Sequence, residues 1–442
     1  MSAPVQAVQN STEFPEAVDV VVIGAGIVGV STAYELARRG ISVALLEKGF
    51  VGAEQSSRNW GWCRQQNRDP RELPLVIHSL ERLDKLAEET GEDLGFRRSG
   101  LVYATTRQSE IDGWEAWEKK AREFGVRSDI LTAAQAKAML PESKTKWLGG
   151  VSSPTDGYAE PSLAAPAIAT AARKLGAYVH QQCAVRGLDI TNGQVAGVWT
   201  ERGKIRTTRV VIAAGAWTSL FCRRHGIDLP LAMVNGTAMR TTVGPQAFNQ
   251  PIYTPTFCAR PRQDGAYTLS IAGRGRIEIT PQLISYATKF WKPFKGRLPN
   301  LRVRVGESAW RGPEAWHSWQ ADSVSPFEMV RVVDPRPDLA MVDEAINALR
   351  TEFPALAGLQ VAQAWGGLID STPDIIPVIS PIDHCPGLVV AAGFSGHGFG
   401  IGPGAGVLAA DLATSAKPVV DPTPYRYSRL VDGTKLGKPG EM

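Results

Sequence analysis

Val18-Asp19-Val20-Val21-Val22-Ile23 runs straight into Gly24-Ala25-Gly26-Ile27-Val28-Gly29. A short apolar run of this kind reads as a strand buried on both faces, and the glycines make its turn into a helix. Gly24 allows the tight turn. Gly26 lets the backbone approach a pyrophosphate, and Gly29 lets the helix pack closely on the strand. Val30, Ala33, Leu36 and Ala37 give that helix an apolar stripe, and Gly40 closes it. Ile41-Ser42-Val43-Ala44-Leu45-Leu46 is then a second strand, ending in Glu47. A carboxylate about twenty residues after such a turn meets ribose hydroxyls and repels a 2′-phosphate. The stretch predicts a βαβ unit that seats one dinucleotide's pyrophosphate at a helix N-terminus, with Ile27 and Val28 opening the helix beside it.

Outward from that unit, apolar spacing predicts helices over 71–91, 108–125, 158–175, 342–353 and 404–415. Strands are expected at 178–180, 195–199, 210–215 and 388–392, with an Asn192-Gly193 turn before the second. Between 231 and 330 the pattern changes to alternation with many Pro and Arg, the mark of an antiparallel sheet with long connections. The expected fold is therefore α/β (α+β overall). A discontinuous Rossmann-like domain spans 17–92, 151–230 and 361–425. A second domain, 93–150 and 231–360, is inserted as an antiparallel sheet, and 1–16 and 426–442 are tails.

Composition narrows the function classes. The 442 residues are enough for two full cores. A net charge of +4 without basic runs argues against a nucleic-acid partner. The five cysteines are widely spaced, with no CxxC, and read as reduced core thiols. The six histidines form no metal pattern, so no metal is expected. Residues 1–16 lack the basic start and apolar run of a signal peptide, and no stretch reaches transmembrane length. A cytoplasmic protein is expected, with peripheral contact at a membrane face or oligomer formation left open. Leu283 to Leu298, with Trp291, Lys292, Phe294 and Lys295, is either a membrane- or partner-contacting segment or a covered helix.

Four further segments belong with the βαβ unit. They are Gln55 to Arg64, Val210 to Trp217, Trp365 to Ile379, and Ala392 to Gly404, which holds Gly393-Phe394-Ser395-Gly396-His397-Gly398-Phe399. The glycines of the last let backbone N–H groups approach a flat ligand, and a helix start adds partial positive charge. Too few residues follow Gly406 for a second nucleotide unit, which argues against a nicotinamide-driven monooxygenase. In this order the segments resemble the D-amino-acid oxidase superfamily of FAD enzymes, which includes sarcosine oxidase, glycine oxidase and amino-acid dehydrogenases. Gly52 to Arg58, Cys183 to Leu188, Thr208 to Val211, Ser325 to Glu328 and Glu352 to Pro354 are similar to the bacterial membrane-associated L-amino-acid deaminases.

The resemblance implies a glutathione-reductase-like FAD fold whose inserted sheet covers the flavin. It assigns Gly24, Gly26, Ile27, Val28 and Gly29 to the pyrophosphate and Glu47 to the ribose. Lys48, Ser56, Ser57 and Arg58 would line the cofactor. Val185 would lie near adenine, with Ala214, Gly215 and Trp217 following. Gly396, His397, Gly398, Phe399, Gly400 and Ile401 would cradle the flavin. Sarcosine oxidases link their flavin to a Cys where this chain has Gly367, so the FAD is expected to be non-covalent. They also carry an oxygen-activating Lys that is missing around Tyr267 to Ser270, which leaves oxygen and a quinone or electron carrier both open as acceptor.

The implied activity is oxidation of an amino acid or secondary amino acid. Hydride passes from the α carbon to flavin N5, and the resulting imine hydrolyses to a keto acid. The alternatives are oxidation of an amine without a carboxylate and a non-catalytic FAD-binding assembly factor. A carboxylate calls for a bidentate Arg. Arg260 aligns with the carboxylate-binding Arg of the deaminases, and Arg64 and Arg311 are the other candidates. Trp60 and Trp62 either wall a pocket or pack the core. His397 and Phe399 are expected beside the flavin, with His397 either an acid–base group or a structural hydrogen-bonding one. Asp374 reads as a turn anchor.

Overall fold

The computed structural model describes residues 2–296 and 298–437, apart from the side chains of Lys292, Pro293, Phe294 and Leu298. Its first sheet grows from the opening stretch. Strand β1 (Val20–Ile23) is fully buried, helix α1 (Ile27–Arg38) follows, and β2 (Val43–Leu46) lies parallel to β1 with Val21 opposite Ala44. On the other side of β1 come Val210–Ile212 and then Leu388–Ala392, both parallel. Tyr178–His180 closes one edge in parallel beside β2, and Val378–Pro381 closes the other in antiparallel sense. Strands buried on both faces are apolar throughout because neither face meets water. Helix α1, Ala164–Lys174 and Gly398–Ala413 cover one face with a single core. The three-stranded sheet Val185–Thr191, Gln194–Thr200, Gly203–Arg206 stands beside it.

The second sheet has ten strands and is mostly antiparallel. It is centred on Ala232–Thr241, which pairs along its whole length with Val361–Ser371. Leu101–Thr105, Asp129–Thr132 and Gly149–Ser153 extend its far end, and helix Leu339–Glu352 packs into its core. Two expected boundaries are corrected here. Gly149–Ser153 crosses 151, and Val361–Ser371 belongs by pairing to the second sheet although 361 was taken as the start of the first domain's last segment.

Local readings shift at the ends of elements. The helix expected from 158 begins at Ala164, because Gly157–Tyr158 instead pairs with Trp62–Cys63. The last helix begins at Gly398 rather than 404, taking in the glycine-rich turn and Pro403. Parts of both tails pack on the body. Ala3 and Arg429 are buried, and Arg429 forks onto Asp374, the turn anchor, at 3.0 and 3.2 Å. Within 283–298 Trp291 is 61% exposed, so a fully covered helix is corrected to one with an open aromatic position. No helix among the described residues is long and apolar enough to cross a membrane, and no group of three His, Cys, Asp or Glu there is placed to hold a metal.

Candidate cofactor and substrate site

The first turn is as tight as its glycines imply. Gly24 has φ +97°, and a Cβ there would stand 2.6 Å from the Ala213 carbonyl oxygen. At Gly29 a Cβ would stand 1.9 Å from the Gly24 oxygen, so no side chain fits. The Ile27 N–H donates to Ser56 Oγ at 2.8 Å, which ties the cofactor loop to the helix start. Glu47 accepts from the Ala25 N–H at 2.8 Å and the Gly49 N–H at 2.7 Å, one on each oxygen. Each oxygen keeps an acceptor site for a ribose hydroxyl. Burial pushes this carboxyl up from its ordinary range, against the pull of Lys48 and the two backbone donors.

A partly open cavity of about 150 Å³ starts at this turn. Gly24, Gly26, Ile27, Val28, Glu47, Lys48 and Ser56 line one end. Val185, Ala214, Gly215 and Trp217 form a side wall, and Gly396, Gly398 and Phe399 close the far end. The other expected cofactor residues stand behind the lining. Gly29 lies under Gly24, Ser57 Oγ donates to the Glu54 carbonyl, and Ile401 is in the core. Gly400 packs on the Trp62–Cys63 strand, where a Cβ would stand 3.0 Å from the Cys63 Cα. Lys48 is spent on the wall itself. Its ammonium donates to Glu54 at 2.6 Å and to the Val330 and Arg331 carbonyls, and lies 4.4 Å from the centre of the Trp217 ring.

Glu54, Gln55, Phe327, Asp370 and Phe394 lie in segments singled out from the sequence but without a site role there, and Arg331 lies outside them; all six line the cavity. Asp370 accepts the Gly393 N–H at 2.7 Å and its carbonyl accepts the Ser395 N–H at 2.8 Å. That pins a turn in which Gly393, Ser395 and Gly396 all have positive φ. Burial raises the Asp370 carboxyl to about 6. No spacing rule marks such a residue, because its partners lie on another strand.

The polar atoms left over define what the cavity takes. Arg58 donates from Nη1 to the Gly366 carbonyl at 3.1 Å and pairs with Asp334 at 3.3 Å, but its buried Nε and Nη2 have no partner. Gln55 Oε1 is likewise buried and unpartnered. A Cβ at Gly367 would stand 2.4 Å from that oxygen, at the end of a flexible side chain, and the glycine itself offers no nucleophile. Helix Gly398–Ala413 points its N-terminus at the far end, a favourable setting for charge that develops on a reduced ring. A ribose acceptor, a pyrophosphate turn and a glycine-walled far end fit FAD along the cavity.

The substrate side departs from expectation. Arg260, on Cys258–Pro261, is 0% exposed. Its Nε donates to the Trp60 carbonyl at 2.7 Å. Nη1 donates to Glu160 Oε1 at 2.8 Å and the Pro261 carbonyl at 3.1 Å, and Nη2 to Glu160 Oε2 at 3.1 Å and Thr268 Oγ1 at 3.3 Å. A guanidinium has five N–H donors, and all five are taken. Arg260 is thus a clamp between the second sheet and the cofactor loop, not a free carboxylate anchor. Arg311 is corrected as well, since it lies exposed on the surface.

Arg64 remains. It is half-buried and gives one hydrogen bond, from Nη1 to the Gln66 carbonyl, and its guanidinium lies 6.0 Å from the Tyr103 ring centre. Trp62 packs 5.7 Å from Trp60 and 6.1 Å from Tyr103, which adjoins Trp114 and Tyr253. These aromatics pack one core cluster, and Trp62 Nε1 is buried without a partner. His397 is buried, with Nδ1 3.2 Å from Glu72. Burial and the neighbouring Arg68 push the imidazole down to about 4, so it is neutral at ordinary pH and not poised as a proton carrier.

Comparison with known proteins agrees with an FAD-binding fold. The family model "FAD dependent oxidoreductase" matches residues 19–412. L-amino acid deaminase from Proteus myxofaciens superposes with a TM-score of 0.92 at 30% identity, covering 97% of this chain and 98% of that one. L-proline dehydrogenase from P. horikoshii gives a TM-score of 0.76 at 27% identity over 94% of this chain and 99% of the other. Glycine oxidase of Pseudomonas aeruginosa is 26% identical over 92% of this chain and 97% of its own length. Rat mitochondrial dimethylglycine dehydrogenase is 25% identical over 94% of this chain, which spans only 46% of that protein.

Proposed function

Because the chain belongs to the FAD-dependent oxidoreductase family, we propose that it oxidises an amino acid or N-substituted amino acid at the α carbon. The observation that carries the reading is Arg64. It is a guanidinium with four N–H donors to spare, one residue beyond the strand that packs on the first turn of the flavin-end helix. The relatives named for glycine, dimethylglycine, proline and L-amino acids share substrates in which one carbon bears both an amine and a carboxylate.

FAD, when bound, supplies the hydride acceptor. The chain supplies position. Arg64 forks onto the carboxylate, and Trp62, Tyr103 and Tyr253 keep bulk water from the α carbon. Glu47 and the first turn hold the nucleotide half fixed. The oxidised product is an imine, which water hydrolyses to a keto acid and ammonia or an amine. Gly367 leaves the FAD non-covalent, so acid precipitation leaves the yellow colour in the supernatant.

The test is a panel of amino acids mixed with holoenzyme in the absence of oxygen. At least one α-amino or N-alkyl amino acid bleaches the flavin. Bleaching only by amines without a carboxylate, or by none, rejects the reading. For the acceptor, the exposed Ile284, Trp291, Trp310 and Trp316, in the same stretch of chain as the exposed Lys295 and Arg311, support peripheral contact with an anionic membrane and a quinone there. Sedimentation with anionic and with neutral vesicles checks this, since only the former should carry the protein down.

A further inference from the structure

His397 stands between Gly396 and Gly398, which both line the far end of the cavity. Its side chain meets Glu72, which is fully buried and precedes helix Leu73–Thr90. Nδ1 lies 3.2 Å from one carboxylate oxygen and 3.4 Å from the other. A carboxylate only accepts, so Nδ1 must carry the ring's hydrogen. Nε2 is then a bare lone pair, and it is buried with no partner in the protein. An unpaired buried acceptor is costly to keep unless something occupies it during function.

Apart from Glu72 Oε2, the neighbouring unpaired atoms are donors. Arg68 Nη1 and Trp62 Nε1 are buried without partners, and Arg64 keeps most of its N–H groups. Gly400, three residues beyond His397, packs on the Trp62 carbonyl and Cys63 Cα, which places this turn beside the strand that carries Trp62 and leads into Arg64. An α-amino acid has the complementary set, with a carboxylate that accepts and an amine that donates.

We propose that His397 Nε2 accepts the substrate's amine N–H, and that Glu72 is a positioning residue that holds the imidazole in the tautomer able to do so. The inference rests on the amino-acid reading above and names the atom that recognises the amine. No proton changes hands. The imidazole only receives a hydrogen bond, and this orients the nitrogen and the α carbon together while Arg64 holds the other end.

Glu72→Gln tests it. The carboxamide N–H₂ donates to Nδ1, moves the ring hydrogen to Nε2, and sets a donor against the amine. In the holoenzyme, two ligands are compared by flavin absorbance. One is the amino acid that best reduces the wild type, and the other is the carboxylic acid with the same side chain and no amine. We expect affinity and reduction rate for the amino acid to fall at least tenfold, while the amine-free acid binds within about twofold of wild type and FAD content is unchanged. Equal weakening of both ligands, or no change in either, overturns the proposal. A shifted oxidised-flavin spectrum with normal amino-acid affinity also overturns it, because the imidazole would then face the cofactor.

If Glu72→Gln does not fold, His397→Gln and His397→Leu decide. Gln keeps an acceptor oxygen and should retain at least ten times the kcat/KM of Leu, and equal values reject the proposal. The wild-type protein in the same panel reports separately whether the amino-acid reading holds, since its reduction does not depend on Glu72 being the positioning group.

Discussion

The nucleotide end and the substrate end of the cavity are built in opposite ways. At the nucleotide end the glycine turn and the ribose carboxylate come from the single stretch 18–47. Gly24, Gly29 and Glu47 meet because a strand, a turn, a helix and a strand follow in order. At the substrate end the groups come from distant parts of the chain. Arg260 finds Glu160 a hundred positions away, and His397 finds Glu72 across 325. The first kind of site is set by local backbone geometry and the second by pairing across elements. Single changes should therefore remove the cofactor at one end, and rearrange partners at the other.

The largest effect is expected at the turn. Gly29→Val puts a side chain where the Gly24 oxygen stands 1.9 Å away. The variant should be purified without flavin, read as the absorbance of the released cofactor. A normally yellow Gly29→Val protein would break the claim that this backbone contact sets the turn.

Arg260→Ala comes next. Removing one partner of a buried pair costs about 3–5 kcal/mol because the other charge is left unpaired. Chemical unfolding should show that loss, and Arg260→Met with Glu160→Leu should recover part of it. If Arg260→Ala instead folds normally and loses only affinity for carboxylates, Arg260 is the anchor after all and the clamp reading is wrong.

Arg64→Ala should leave folding and the flavin spectrum unaltered while kcat/KM for a carboxylate substrate falls by about 2–5 kcal/mol, and Arg64→Lys should recover little of it. The smallest effect concerns pH. His397 titrates at about 4 when folded and near 6.5 otherwise. Between those values the unfolded chain takes up a proton that the folded chain does not, so stability is lost as pH falls from 6.5 to 4. Against His397→Gln, in which every other group cancels, the parent's Tm should drop by a few degrees across that window.

The same contrast explains what could be read from sequence alone. The βαβ unit and the place of Glu47 at its end were legible because both follow from spacing within one segment. Arg260 was legible as an important Arg but not in its role, because its partner Glu160 sits in a loop that carries no motif. The start of the last helix was misplaced because Gly398, Gly400, Gly402 and Pro403 argue against helix locally. The glycines are accommodated because Gly398 packs on Phe394, Gly400 on Cys63 and Gly402 on Ile27, contacts that favour small residues there. Asp370 was invisible for the same reason as Glu160, since its work is to hold a turn on a neighbouring strand.

The most direct test of the whole account is flavin reduction by α-protio and α-deuterio forms of the best amino-acid substrate, mixed rapidly with holoenzyme without oxygen. The account predicts that the deuterated form reduces the flavin several-fold more slowly in the wild type, and that Arg64→Ala raises the substrate concentration needed while keeping the isotope effect. A wild-type flavin that no amino acid reduces, with or without the label, would contradict it.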